Sequence, residues 1–314
     1  MSAALLAGGY AAAVAWWLPI LLARLTAVGI SARLGLVAWV TAMASVLTCA
    51  MAAVRFLVDA AIAHWPWLAE AVCRSVTGQE CAAAVYRGAV FELALSVAAV
   101  IAATTAATLA WRYGLVVRRA RRQTRAHSEA ARITGRGLSA ADTAVVLDNP
   151  RPAAYCLPGR PGTIVLTTGA IAVLDAAQLA AVIAHERAHL AGRHHLLVTL
   201  TRALAASIPA LPLFTTGRVQ VARLTEMCAD DAAARRTARQ PLLAALLAMG
   251  TGQSVPTAAL AATTGAVTDR VQRLIDPPDQ ARQARNGAAL IAVTVLLAVA
   301  TCLVTAFAGS LVGG

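Results

Sequence analysis

Lysine is absent, and all 27 basic residues of the 314 are arginine. Without lysine no Ser-x-x-Lys acylation motif can form, so covalent capture of a ligand by that route is excluded. Charge of either sign is scarce, at 13% of residues against roughly a quarter in ordinary soluble domains. The six cysteines form no Cys-x-x-Cys pair and no zinc-knuckle spacing, and none stands where a nucleophile would be activated. A cysteine-built zinc site and a cysteine nucleophile are therefore both excluded.

What is abundant is apolar surface: 59% of residues are hydrophobic and the mean hydropathy is +0.67. Such a chain belongs in a bilayer. Crossing about 30 Å of hydrocarbon takes roughly 20 helical residues at about 1.5 Å each. Four stretches are long enough, near Ala3 to Ala23, Leu34 to Val58, Gly88 to Trp111 and Ala288 to Ala308. The first is read as a retained helix: no basic residue precedes it, and Trp16, Trp17 and Pro19 stand where a small-residue cleavage site would be needed.

The net charge of +12 follows the membrane layout. Arg24 and Arg33 flank the first connection, and the third apolar stretch is followed by Arg112, Arg118, Arg119, Arg121, Arg122 and Arg125. The second connection mixes Asp59, Glu70 and Glu80 with Arg74 and Arg87. The positive-inside rule then puts the first connection and the segment after Trp111 in the cytoplasm and both chain ends outside. The basic run has no interleaved aromatics and adjoins a span, so anionic lipid is its expected partner and direct nucleic-acid binding is not expected. Cys73 and Cys81 fall in the outer connection, where a local disulfide is expected. Cys49 and Cys302 read as membrane packing residues, and Cys156 and Cys228 as buried or reduced thiols.

The fold class expected is mainly α, a multi-span helical membrane protein with a small α+β domain. Its parts are three membrane helices in residues 1–111, a cytoplasmic domain in 112–286 and a last membrane helix in 287–314. Short apolar runs at Thr143 to Leu147, Ala153 to Leu157 and Thr163 to Thr168, separated by Asn149-Pro150, Pro158-Gly159 and Pro161-Gly162, predict a small sheet. A helix follows, with Asp175 as its N-cap and Gln178 completing a capping box.

That helix carries His185-Glu186-Arg187-Ala188-His189, an HExxH pattern. Residues four apart share a helix face, so His185 and His189 can direct two imidazoles at one zinc ion, with Glu186 beside it as general base for peptide hydrolysis. The flanking residues, Ala180 to Ala184 and Leu190-Ala191, are apolar, and charged groups set in such a helix need partners or a metal. Glu226, in Glu226-Met227-Cys228-Ala229-Asp230, is the candidate third ligand, and Asp230, one turn on, could hydrogen-bond a ligating histidine. His194 and His195 are expected to be ordinary helix-end histidines, and His64 and His127 have no ligand spacing.

The runs Thr163 to Ile171, Leu179 to Leu190 and Glu226 to Asp230 resemble the bacterial BlaR/MecR antirepressor family of membrane metallopeptidases. They are similar, more distantly, to the HtpX and CAAX-protease families. The resemblance covers roughly Asp148 to Ala233. It implies one zinc held by His185, His189 and Glu226, and catalysis by Glu186. It further implies an edge strand, Thr163, Ile164, Val165, Leu166 and Thr167, that pairs with an extended protein or peptide substrate. It also implies residence in the bacterial inner membrane and, in the BlaR-like case, cleavage of a cytosolic, winged-helix type of repressor. No penicillin-binding sensor domain follows the last apolar stretch, so direct β-lactam sensing is not expected. The alternatives are an HtpX-like quality-control protease and, in another class, a non-catalytic zinc-stabilised signalling module.

One further apolar stretch, Leu196 to Phe214, is nearly long enough to span. A single crossing would separate Glu226 from His185 and His189. Pro209, Pro212 and Arg202 also disfavour an uninterrupted membrane helix, so a re-entrant hairpin or a helix against the membrane face is expected.

Overall fold

A computed structural model describes residues 2–27, 31–74, 82–137, 144–159, 161–250, 267–277 and 280–313. Three long helices come first: α1 (Ser2–Leu25), α2 (Ala32–Arg74) and α3 (Ala82–Thr134). A four-stranded sheet follows, β1 (Arg136–Gly137), β2 (Ala144–Leu147), β3 (Ala154–Leu157) and β4 (Thr163–Thr167). The rest is helical: α4 (Thr168–Val173), α5 (Ala176–Ala191), α6 (His194–Ser207), α7 (Pro212–Thr237), α8 (Arg239–Gly250), α9 over 267–275 and α10 (Gln280–Gly313). The expected class is what is seen, a mainly helical chain with a small sheet.

Four helices contain a stretch long and apolar enough to cross a membrane: Ser2–Leu25, Ala32–Ala61, Leu93–Ala131 and Gln283–Ser310. These correspond to the four stretches read from hydropathy. The residue 111/112 division falls inside α3, whose helix runs on unbroken through the arginine-rich segment to Thr134. The expected Cys73–Cys81 disulfide lies outside the described residues.

The strand order is β1-β2-β4-β3, with β2 and β4 parallel and β3 antiparallel to β4. The substrate-strand expectation is corrected here. Thr163–Thr167 is a central strand, since Val165 is opposite Val145 on one side and Tyr155 on the other, and all five residues are buried. Its backbone is committed to neighbours on both sides, which leaves nothing for a substrate. The physical reason is burial on both faces: Val165 packs with Ala131 of α3, whereas Leu166 packs with Val182 of α5 and Ala245 of α8. A strand covered twice reads as an unbroken apolar run. The edge on that side of the sheet is β3, which among the described residues has β4 as its one strand neighbour.

The loop before β3 is pinned to the start of α4. The Thr167 hydroxyl receives the Ala153 and Ala170 amides at 2.9 and 3.1 Å and donates to the Arg151 carbonyl at 2.8 Å. Gly169 N–H donates to the Asn149 carbonyl at 2.9 Å. A Cβ on Gly169 would lie 2.2 Å from the Pro150 carbonyl oxygen and 2.6 Å from its carbonyl carbon. These are backbone atoms, which cannot swing aside as a side-chain end would. Gly169→Ala is therefore expected to cost about 1–3 kcal/mol or more, read as a lowered thermal midpoint in detergent. An unchanged midpoint would show that this loop is not held as described.

The stretch Leu196 to Phe214 does not continue in one direction. The chain leaves the α5 end at His194, turns over residues 208–211 and returns as α7. Pro212 opens α7 at its first turn, where a missing N–H costs nothing. The returning helix packs into the membrane-helix bundle: Leu213, Phe214, Val221 and Leu224 share one core with Leu22 of α1, Trp39 and Met43 of α2, and Leu290 of α10. Gly217 permits the approach, since a Cβ there would sit 2.1 Å from the Met43 methyl and 3.2 Å from the Trp39 ring.

Candidate metal centre

The helix that carries the HExxH pattern begins as its sequence requires. The Gln178 amide donates to the Asp175 carboxylate at 2.8 Å, and the Asp175 amide donates to the Gln178 side chain at 3.2 Å, a complete capping box. One face of α5 presents Val182 to the sheet and α8. Another presents Ala181 and Ala184 to Ala233 of α7 and Leu242 of α8, and these small residues let α5 and α7 approach closely. The approach places Glu226 of α7 opposite His185 and His189.

His185 Nε2 and His189 Nε2 are 3.0 Å apart. Glu226 lies 3.5 Å from the first through Oε2 and 3.4 Å from the second through Oε1. Three ligands at about 2.0–2.1 Å from a tetrahedral zinc would be separated by roughly 3.3 Å from one another. The spacing thus fits a single metal ion of that size, and the three residues form a group able to hold one.

The remaining imidazole nitrogens also have polar neighbours. His185 Nδ1 is 3.0 Å from Asp230 Oδ1, so the residue expected to support a ligating histidine stands beside one. Burial alone pushes the His185 imidazole down, but the Asp230 and Glu226 carboxylates outweigh it and hold the ring above its ordinary value. The pocket favours a positive charge at this spot, whether a proton or a metal ion supplies it. Burial would likewise raise the Glu226 carboxyl, yet His185, His189 and Arg270 hold it well below the usual carboxylate range.

His194 departs from expectation. Read along a continuous helix, it would fall beyond the face shared by His185 and His189. The helix instead stops at Ala191, Arg193 takes a left-handed conformation at φ 49°, and α6 starts afresh at His194. The turn folds the His194 ring back, so that its Nδ1 lies 2.9 Å from His189 Nδ1. Gly192 leaves the room, because a Cβ there would meet the His194 ring at 2.3 Å. Burial pushes the His194 imidazole down to about 4, so it stays neutral and can accept the His189 Nδ1 proton. This orients His189 with Nε2 toward the metal position. The spacing of five from His189 was the available sequence signal, and the assumption of an unbroken helix hid it.

Glu186 is buried and stands within hydrogen-bonding reach of the Cys156 thiol on β3. Burial raises its carboxyl, a direction that would suit a general base. Burial, reinforced by Glu186, also drives the Cys156 thiol up to about 12, which agrees with the expectation of an inert thiol. A cavity of about 260 Å³ opens beside His185, Glu186 and Glu226, walled by Ala154, Val182, Leu242, Ala245 and Leu246 and bordered by Arg270. Arg270, which has no sequence signal at all, donates from Nε and Nη2 to Asp230 at 2.7 and 2.9 Å and lies 3.2 Å from Glu226.

The donor set and its supporting partners suit a bound metal ion beside a cavity, and comparison with known proteins adds a family. The Protease HtpX homolog of Acidiphilium cryptum (strain JF-5) is 43% identical over 65 residues, 20% of this chain. The matched segment spans 23% of that relative's length. No solved structure matches. Peptidase family M48 matches residues 117–277, just over half of the chain and every residue of the centre described above, and the chain belongs to that family.

Proposed function

We propose that this chain is a membrane-embedded zinc endopeptidase, with His185, His189 and Glu226 as ligands and Glu186 as general base. The observation that carries the proposal is the convergence of three ligand groups, with the two histidine Nε2 atoms 3.0 Å apart and the Glu226 carboxylate 3.5 and 3.4 Å from them through its two oxygens, and with Glu186 on the same helix facing the same cavity. When bound, zinc polarises a scissile carbonyl and lowers the pKa of water. Glu186 takes the proton of the attacking water and delivers it to the leaving amine. Asp230 and His194 hold the two imidazoles in register. An extended substrate adds to the side of β3 that has no strand neighbour among the described residues, where Ala154 borders the cavity, and places an apolar side chain against Leu242, Ala245 and Leu246.

The catalytic face is cytoplasmic in this reading, because the arginines that follow the third span, Arg118, Arg119, Arg121, Arg122 and Arg125, are exposed along α3. The position of the site favours membrane proteins as substrates over a cytosolic repressor. Arg223 donates to the Thr26 and Ala27 carbonyls at 3.2 and 2.8 Å, where α1 ends, and Glu226 follows it on α7 by about 4.5 Å of helical rise. The zinc site thus sits near the level at which the first span leaves the bilayer. A purely structural zinc would have no need of a buried carboxylate beside it, which disfavours the non-catalytic module.

The test uses purified protein in detergent, assayed for zinc content and for cleavage of an unfolded model protein. One zinc per chain is expected, with cleavage that a chelator abolishes and added zinc restores. Cleavage that survives complete zinc removal would overturn the proposal.

A further inference from the structure

We propose that Arg270 is a positioning residue without which the metal site is incomplete. The inference rests on the zinc-peptidase reading and adds to it a residue from outside the HExxH helix and α7. Arg270 comes from α9, and its side chain is 14% exposed. Its Nε and Nη2 grip both oxygens of Asp230 at 2.7 and 2.9 Å, while Nη1 reaches Glu226 Oε2 at 3.2 Å. One planar guanidinium therefore orients the proposed third ligand and the carboxylate beside His185. The fork geometry suits this task, and an ammonium could not reproduce the planar, two-point grip on Asp230 while also reaching Glu226 in the same geometry.

Charge points to the same role. Glu186 and Asp230 are buried, and Glu226, whose side chain is 39% exposed, converges with them on one site. A divalent ion offsets two of these negative charges, and Arg270 offsets the third. Without it, a surplus negative charge is left in a poorly solvated place, where unpaired charge is costly.

The position of α9 is itself specified. Asp269 pairs with Arg223 at 2.7 Å, and Arg273 pairs with Asp231 at 2.8 Å, so ion pairs flank Arg270 on both sides. Arg223 is also the side chain that caps the end of α1. Docking of α9 onto α7 thus delivers Arg270 to the metal centre and ties that docking to the first membrane helix.

The experiment compares wild type with Arg270→Gln, Arg270→Lys, Asp230→Asn and the Asp230→Asn/Arg270→Gln double variant. Zinc affinity is measured by competition with a chromophoric chelator, and kcat/KM at saturating zinc. Arg270→Gln is expected to weaken zinc binding about 10- to 100-fold, with a folded far-ultraviolet spectrum. Arg270→Lys should recover part of the loss. In the double variant the added cost of Arg270→Gln should be smaller than in the wild-type background, because its main partner has lost its charge. Wild-type zinc affinity in Arg270→Gln would overturn the inference, as would equal losses with and without Asp230. If Arg270→Gln does not fold, the Arg270→Lys affinity decides: wild-type affinity there overturns the inference, and a partial loss supports it. Failure of the underlying reading shows separately, as a wild-type protein that binds no zinc.

Discussion

Glu186→Gln should keep its zinc and lose its turnover. Glutamine preserves the size of the side chain but cannot accept a proton at neutral pH, so the step that activates water and the step that protonates the leaving amine both fail. The expected loss in kcat is at least about 10²- to 10⁴-fold, the range for a positioned general base. KM should change little, because the variant removes an interaction needed in the transition state rather than in substrate binding. Zinc stoichiometry should stay at the wild-type value, since Glu186 is not among the three ligand groups that converge. Turnover within about tenfold of wild type would remove Glu186 as the base.

Removing the metal should have the second large effect, on stability. At a free zinc concentration about 1,000-fold above Kd, binding to the folded state alone stabilises it by about 4 kcal/mol. For a unit of this size that corresponds to roughly 10 °C in thermal midpoint. Chelation of the wild-type protein should reveal a shift of that order. His185→Ala should melt low whether or not zinc is present, because it loses one ligand and leaves Asp230 without the imidazole now 3.0 Å away. A wild-type midpoint that ignores chelator would mean that the ligands do not hold zinc in the folded protein.

How far these features can be read from sequence depends on how local they are. The four apolar stretches, the capping box at Asp175 and the four-residue spacing of His185 and His189 each lie within a few helical turns. Each appears in the structure where it was expected. The place of Thr163–Thr167 in the sheet is not local, since it depends on which strands flank it. Even so, its unbroken apolar run already fitted a strand buried on both faces better than an edge. His194 was hidden by one left-handed residue, Arg193, an arginine where glycine or asparagine would have announced the break. Arg270 lies 40 residues beyond Asp230, and neither its spacing nor its neighbours mark it. Only the folded chain brings it to the site.

The core in which Leu213, Phe214, Val221 and Leu224 lie against Leu22, Trp39, Met43 and Leu290 bears on how this enzyme can be made and released. The helix that supplies Glu226 is the same helix that fills the space between the spanning segments. A water-soluble fragment beginning after the third span would present that apolar side of α7 to solvent with nothing to cover it. On the zinc-peptidase reading, proteolytic shedding or truncation is therefore expected to yield an unstable fragment rather than a free peptidase. During synthesis α7 gains its full set of partners once the first two spans are in place, so the ligand-bearing helix is expected to settle after those spans have inserted.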